Sequence, residues 1–170
     1  MFIDCDICVV RSFRQGDEQY LVQHANDRAV WLNLRDRFPH PYTQANAEQW
    51  IEHVLQTKPE TSFAIDVNGE AVGSIGFVLH EDIERCSAEV GYWLGQSYWG
   101  RGIVTLALRA ITQYALTQFE LTRLYAVPFL RNPASLKVLE KAGYQCEGIM
   151  RRSAIKDGEV LDQALYAYVK

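Results

Sequence analysis

Apolar and polar positions follow two different periods along this chain. Residues 8–13 form a short apolar run that reads as a first strand. From 16 to 27 the spacing turns helical, with Tyr20, Leu21 and His24 at helical intervals. Residues 28–42 are irregular and hold Pro39 and Pro41; such a segment either shapes a substrate mouth or simply connects. Thr43 is a good cap for a helix whose apolar face is Trp50, Ile51, Val54 and Leu55. The period then changes to two. Residues 62–67 and 71–79 read as strands joined by Asn68-Gly69, a dipeptide suited to the positive φ values of a type I′ turn. Gly73 and Gly76 inside the second strand predict bends or close backbone approach. Residues 86–94 are a further strand. Residues 102–118 are a helix with Ile103, Leu106, Ala107, Ala110, Ile111 and Tyr114 along one side. Residues 124–128 are a short buried strand. Asn132-Pro133 opens another helix, a cap residue followed by proline at the first helical position, and Gly143 closes it. Two last strands turn at Asp157-Gly158. The sum is one α/β domain over residues 1–170: hairpins, then strand–helix–strand–helix–strand, then a closing hairpin.

Composition narrows the function. The chain has 170 residues, 48% of them hydrophobic and 22% charged, which suits a globular domain with a sizeable core. The net charge of −4, from 17 basic and 21 acidic residues, comes without a clustered basic face, so no nucleic-acid partner is expected. Asp4 and Asp6 near the start argue against a signal peptide, and no apolar run is long enough to span a bilayer. The expectation is a cytoplasmic protein with no membrane partner. Cys5 and Cys8 have C-x-x-C spacing, but Cys86 and Cys146 form no second pair and no His lies near them in sequence. Free thiols and no metal site follow.

The informative segment is Tyr98-Trp99-Gly100-Arg101-Gly102-Ile103, between a strand and a long helix. Unpaired N–H groups at a helix start and the helix dipole attract an anion, and glycines let the backbone curl around a pyrophosphate. A dinucleotide-binding G-x-G-x-x-G would need glycine where Thr105 stands, and the Gly-Lys-Ser/Thr of a P-loop is absent. Taken alone, a Gly-x-Gly before a helix is a weak signal, and a simple loop is its alternative.

Further along come Asn132-Pro133-Ala134-Ser135 and Leu139-Glu140-Lys141-Ala142-Gly143-Tyr144. With Gly91-Tyr92-Trp93-Leu94 and the Gly-x-Gly turn, these resemble the GNAT acetyltransferase superfamily and, within it, the RimJ/RimL branch, which modifies N-terminal amines of ribosomal proteins. The resemblance spans residues 11–168, including Glu147-Gly148, Arg151, Gly158 and Asp162 near the end. It implies a single-domain GNAT fold: a central mixed, mostly antiparallel sheet, splayed between strands four (88–94) and five (124–127) and flanked by helices. Acetyl-CoA would lie in the opening. Its pantetheine would pair with the backbone of Tyr92, Trp93 and Leu94. Its pyrophosphate would rest on the N–H groups of Trp99, Gly100, Arg101, Gly102, Ile103 and Val104, and Asn132 would contact the cofactor arm as well as cap its helix. Many superfamily members carry Gln or Arg where Ser97 stands; backbone N–H groups carry most of that interaction, so binding should survive.

An ammonium cannot attack a thioester until it loses a proton, which calls for a base, directly or through water. Glu89, on the opposite face of its strand from Val90, is the candidate; its alternative is an ion-paired surface carboxylate. A strand-four backbone amide could serve the oxyanion. Ser135 is the candidate donor to the departing sulfur, on the RimL-like Asn-x-x-Ser pattern, since Leu139 stands where many GNAT enzymes have Tyr; its alternative is a residue of the helix cap. His24, His40, His53 and His80 read as solvated surface residues, and Trp31, Phe38, Tyr42 and Trp50 as either acceptor-pocket walls or core. The acceptor stays open between a protein N-terminal amine and a small amine such as a polyamine, an amino acid or an aminoglycoside. A non-catalytic acyl-CoA-binding module is the third reading, and the intact Glu89, Asn132 and Ser135 argue against it. Relatives dimerise, so a homodimer is a further expectation from the resemblance.

Overall fold

Turn chemistry sets the element boundaries. In the computed structural model, which covers residues 1–170, Asn68 and Gly69 take φ of 55° and 90°, and Asp157 and Gly158 take 53° and 77°. The first pair folds strand β3 (Ser62–Val67) back on β4 (Glu70–Leu79); the second folds β7 (Gln145–Lys156) on β8 (Glu159–Val169). Thr43 and Asn46 form a reciprocal capping box at the start of α3 (Gln44–Gln56). Asn132 caps α5 (Pro133–Lys141) through the Ser135 N–H, and Gly143 follows its end at φ 94°.

The remaining elements are β1 (Phe2–Asp4), β2 (Val9–Arg11), α1 (Glu18–Ala25), the single turn α2 (Arg28–Trp31), β5 (Ser87–Leu94), α4 (Ile103–Gln118) and β6 (Arg123–Ala126). One eight-stranded sheet runs in the order β1-β2-β3-β4-β5-β6-β8-β7, antiparallel everywhere except between β5 and β6. Strand β1 is not legible in the sequence: Phe2 and Asp4 are exposed and only Ile3 is half-buried, so no apolar alternation marks it. Strands four and five of the sequence reading are therefore β5 and β6.

Helices cover both faces. On one side, Ile103, Ala107, Leu108, Ile111 and Ala115 of α4 pack with Val10, Phe63, Ile65, Val72, Val90 and Leu124 of the sheet. On the other, Leu21 and Ala25 of α1 and Ile51 and Val54 of α3 pack over Ala64 and Ala71. The α4 stripe lies partly to one side of the reading: Leu108 and Leu116 are buried, whereas Leu106 and Ala110 are only half-buried. In α3, Leu55 is exposed and Trp50 half-buried. Arg11 ties the second layer to the sheet. Buried itself, it forms two 2.8 Å hydrogen bonds to Asp17 and one of 2.7 Å to Asp66. A Cβ on Gly73 would lie 2.4 Å from the Trp93 carbonyl oxygen, and one on Gly76 2.4 Å from that of Thr61, so both glycines mark close backbone approach.

The feature that positions the site is a parting of the sheet. Parallel pairing of β5 with β6 covers only Ser87–Arg123, Ala88–Leu124 and Glu89–Tyr125. From Val90 to Leu94, β5 stays paired to β4 but has no strand on its other side.

Candidate active site

Alternation along β5 sends its side chains to different layers. Ala88, Val90 and Leu94 enter the α4 core, and Tyr92 packs against that core. Glu89 and Trp93 face the other layer, where Trp93 meets Phe38 edge-on and Glu89 forms an ion pair with Arg35. The parting thus opens between a layer holding Tyr92 and a layer holding Glu89.

A cavity of about 670 Å³ fills it. Every candidate site residue lines it: Glu89, Tyr92, Trp93, Leu94, Trp99, Gly100, Arg101, Gly102, Ile103, Val104, Asn132 and Ser135.

At one end is the start of α4. Gly100 and Gly102 have φ of 77° and 81°, and beyond the adjoining residues no protein atom lies within 4 Å of where their Cβ atoms would stand. The N–H groups of Gly100, Arg101, Gly102, Ile103, Val104 and Thr105 have no acceptor in the protein. This corrects the sequence reading by one residue at each end. The Trp99 N–H donates to the Gln96 carbonyl at 3.1 Å, and the free run extends to Thr105. The Trp99 indole N–H also donates to the Leu94 carbonyl at 2.7 Å, which fixes the turn against the end of β5. Six consecutive free donors at the positive end of a 16-residue helix make a cradle for an anion. The Arg101 side chain, donating to the Ser97 carbonyl at 2.8 Å and lying over Tyr98, is folded onto the loop.

Midway, α5 faces β5. The Ser135 and Tyr92 hydroxyls are 2.8 Å apart, so this pair bridges the parting. Burial pushes the Tyr92 phenol up to about 12, against a smaller lowering by its bond to Ser135. Tyr92 entered the sequence reading for its backbone alone; its side-chain contact with Ser135 joins residues 43 apart and has no local signature. The Asn132 side chain accepts from the Ser135 N–H at 3.2 Å, so the capping is done by Asn132 and the Ser135 hydroxyl is left to Tyr92.

The far end is walled by residues 33–36 and by Ser153, Ala154, Ile155 and Lys156 of β7. Arg35 and Lys156 were not among the sequence candidates. Trp31, Phe38, Tyr42 and Trp50 do not line the cavity: Phe38 stacks on Tyr42, and Trp50 packs edge-on to Phe13 in the second core. His24 is buried rather than solvated, its ring edge-on to Tyr98, and burial lowers its pKa. Half-buried His80 stacks on Tyr125 with a 2.8 Å bond to its hydroxyl. All four cysteines are free. No group of three or more His, Cys, Asp or Glu side chains is placed to hold a metal ion, and no helix is long and apolar enough to cross a membrane.

A parted sheet with an anion cradle at one end and a carboxylate at the other is a site suited to a phosphorylated ligand. Residues 8–145 match the family described as Acetyltransferase (GNAT) domain. The chain belongs to the GNAT acetyltransferase family and is an acetyl-CoA-dependent N-acetyltransferase. It is 30% identical over 169 residues to the uncharacterized N-acetyltransferase p20 of Bacillus licheniformis, covering 95% of this chain and 92% of that one. It is 32% identical over 107 residues to the ribosomal-protein-serine acetyltransferase of Escherichia coli, 63% of this chain and 59% of that one. Its fold is similar to that of RimL, a ribosomal L7/L12 alpha-N-protein acetyltransferase in complex with coenzyme A, with a TM-score of 0.87 at 22% identity over 99% of this chain and 98% of that one.

Proposed function

We propose that the chain acetylates the N-terminal amine of a protein, by direct attack of that amine on acetyl-CoA in a ternary complex. The observation that carries this reading is the single cavity holding the free N–H run of α4, the Tyr92–Ser135 bridge and Glu89. Likeness to a ribosomal-protein-serine acetyltransferase supports the choice of acceptor. The pyrophosphate rests on the N–H groups of Gly100 to Thr105, and the pantetheine lies along β5 at Tyr92, Trp93 and Leu94, an added strand where β6 has parted. Asn132 keeps its cap and borders the cofactor arm.

Glu89 takes the proton from the acceptor ammonium, directly or through a water. Arg35 holds the carboxylate at rest and must yield it to the incoming cation. The neutral amine attacks the thioester carbonyl, a backbone N–H of β5 stabilises the oxyanion, and the C–S bond breaks as the second proton on nitrogen passes through water to the departing sulfur. Ser135 donates a hydrogen bond to the departing sulfur. Full proton transfer from the Tyr92–Ser135 pair is not the route, because burial makes the Tyr92 phenol a weaker acid than usual. The pair acts as a hydrogen-bond relay, with Tyr92 donating to Ser135.

Ser135→Ala is expected to lower turnover about 10–100-fold, equivalent to roughly 1.4–2.7 kcal/mol of transition-state stabilisation. It also takes from the half-buried Tyr92 hydroxyl its 2.8 Å partner, leaving the Ser135 carbonyl at 3.5 Å, and so costs about 1 kcal/mol of stability. Adding Tyr92→Phe should restore the melting temperature and leave turnover low. Turnover restored along with stability would reduce Ser135 to a structural residue.

The acceptor is tested by thiol release from acetyl-CoA against peptides with free N-termini, the same peptides pre-acetylated, spermidine and free amino acids. The free-N-terminus peptides should have the highest kcat/KM. Preference for spermidine or for a free amino acid would overturn the choice of acceptor while leaving the acetyl transfer intact.

A further inference from the structure

The most unusual charge in the molecule is Lys156, at the tip of the β7–β8 hairpin. Only 1% of its side chain is accessible, yet it lines the far end of the cavity. Its ammonium lies 3.6 Å from the centre of the Trp31 ring and 2.8 Å from one Asp36 oxygen. That is its only hydrogen bond, so two of its three N–H donors have no acceptor in the protein. The Asp36 side chain is 72% accessible and remains largely hydrated, so it compensates the buried cation only in part.

An ammonium out of water is costly unless fully paired, and a Met or Leu would fill the same volume without that penalty. The hairpin tip does not need Lys156 to stay in place: Asp157 is paired with Arg28, and Glu159 with Arg131, which also donates to the Leu32 carbonyl at 3.2 Å. Lys156 lines the same cavity as Glu89, where the acceptor amine is deprotonated in the reading above.

We propose that Lys156 is a specificity residue that binds the carbonyl oxygen next to the reacting amine, so that the acceptor class is an α-aminoacyl compound rather than a simple alkylamine. Glu89 then takes the ammonium and Lys156 the carbonyl oxygen, which fixes the amine by two contacts. Trp31 beneath the ammonium and Asp36 beside it keep the cation aimed. An alkylamine or polyamine offers nothing for Lys156 to hold and brings more positive charge towards it. This inference rests on the acetyl-transfer reading above, and its test separates the two.

The experiment compares serinamide with ethanolamine, which lacks the carbonyl group, using the full chain and acetyl-CoA. Rates are expressed per concentration of free amine, which removes the difference in protonated fraction, and the greater nucleophilicity of the more basic ethanolamine works against the expected preference. The wild-type chain should favour serinamide by 10-fold or more, in keeping with a charge-assisted hydrogen bond. In Lys156→Met that preference should fall to within about two-fold of unity, through a loss on serinamide alone, with the KM for acetyl-CoA unchanged. An equal loss on both amines would make Lys156 only a brace for the hairpin and overturn the proposal. If Lys156→Met does not fold, the wild-type ratio decides: equal use of the two amines overturns the proposal. Turnover of neither amine nor any peptide would overturn the acceptor reading itself, and the proposal with it.

Discussion

Glu89→Gln lowers turnover by roughly 10²–10⁴-fold and removes the acidic limb of the pH–rate profile, with acetyl-CoA affinity little changed. The amide keeps the shape of the carboxylate and cannot take a proton. It also leaves Arg35 without its partner, and the half-exposed guanidinium can turn to solvent without strain. Where in that range the loss falls depends on the acceptor. An α-amine titrates near 8, so about one in ten is already neutral at pH 7 and reacts without help. A lysine-like amine titrates near 10.4, and fewer than about one in a thousand is neutral there, so it depends far more on the base. A peptide N-terminus should therefore show a loss near 10², and an alkylamine one near 10⁴. An unchanged pH profile in the variant would sink the assignment and shift the role to a water held by backbone carbonyls.

Gly102→Asp should abolish detectable acetyl-CoA binding while the protein stays folded. Apart from the adjoining residues, no protein atom lies within 4 Å of the position a Cβ would take, so the Cβ itself meets no clash. Its backbone penalty, from φ of 81°, is about 1 kcal/mol. The new carboxylate would stand at the mouth of the N–H run and repel the pyrophosphate. Two unit charges about 5 Å apart at an effective dielectric of about 20 repel by roughly 3 kcal/mol, more than 100-fold in affinity. Gly102→Ala carries the same backbone penalty without the charge and should fall between the two. Calorimetry on a folded Gly102→Asp protein that gave near wild-type affinity would show that the phosphates bind elsewhere.

The parts of the fold written in local chemistry are legible in the sequence. Asn68-Gly69, Asp157-Gly158, Thr43 and Asn132-Pro133 each impose a backbone conformation on their neighbours alone, and the elements they bound lie within a residue or two of the reading. Strand β1 escapes because an edge strand with exposed side chains needs no alternation. The site divides in the same way. The Gly100–Gly102 turn and the Asn132–Ser135 cap are local, and both line the cavity. The partners of the candidate residues are not local. Arg35 reaches Glu89 across 54 positions, and Lys156 reaches Asp36 across 120. Both link the irregular segment 28–42 to the sheet, where no period in either stretch announces the other. His24 shows the opposite failure: a polar residue at helical spacing reads as surface, yet α1 turns it inward beneath Tyr98.

The parting between β5 and β6 makes the sheet a wall with one slot through it. Tyr92 and Ser135 guard one side of the slot, Glu89 and Arg35 the other. In the proposed arrangement each reactant has its own doorway, and the two need not pass. The acetylated chain can leave on its own side while the spent coenzyme is still threaded, and a fresh donor can replace that coenzyme without disturbing what waits opposite. A helix-lined pocket closed on one side would force a queue; a slotted sheet lets traffic from two directions meet at a single carbonyl carbon.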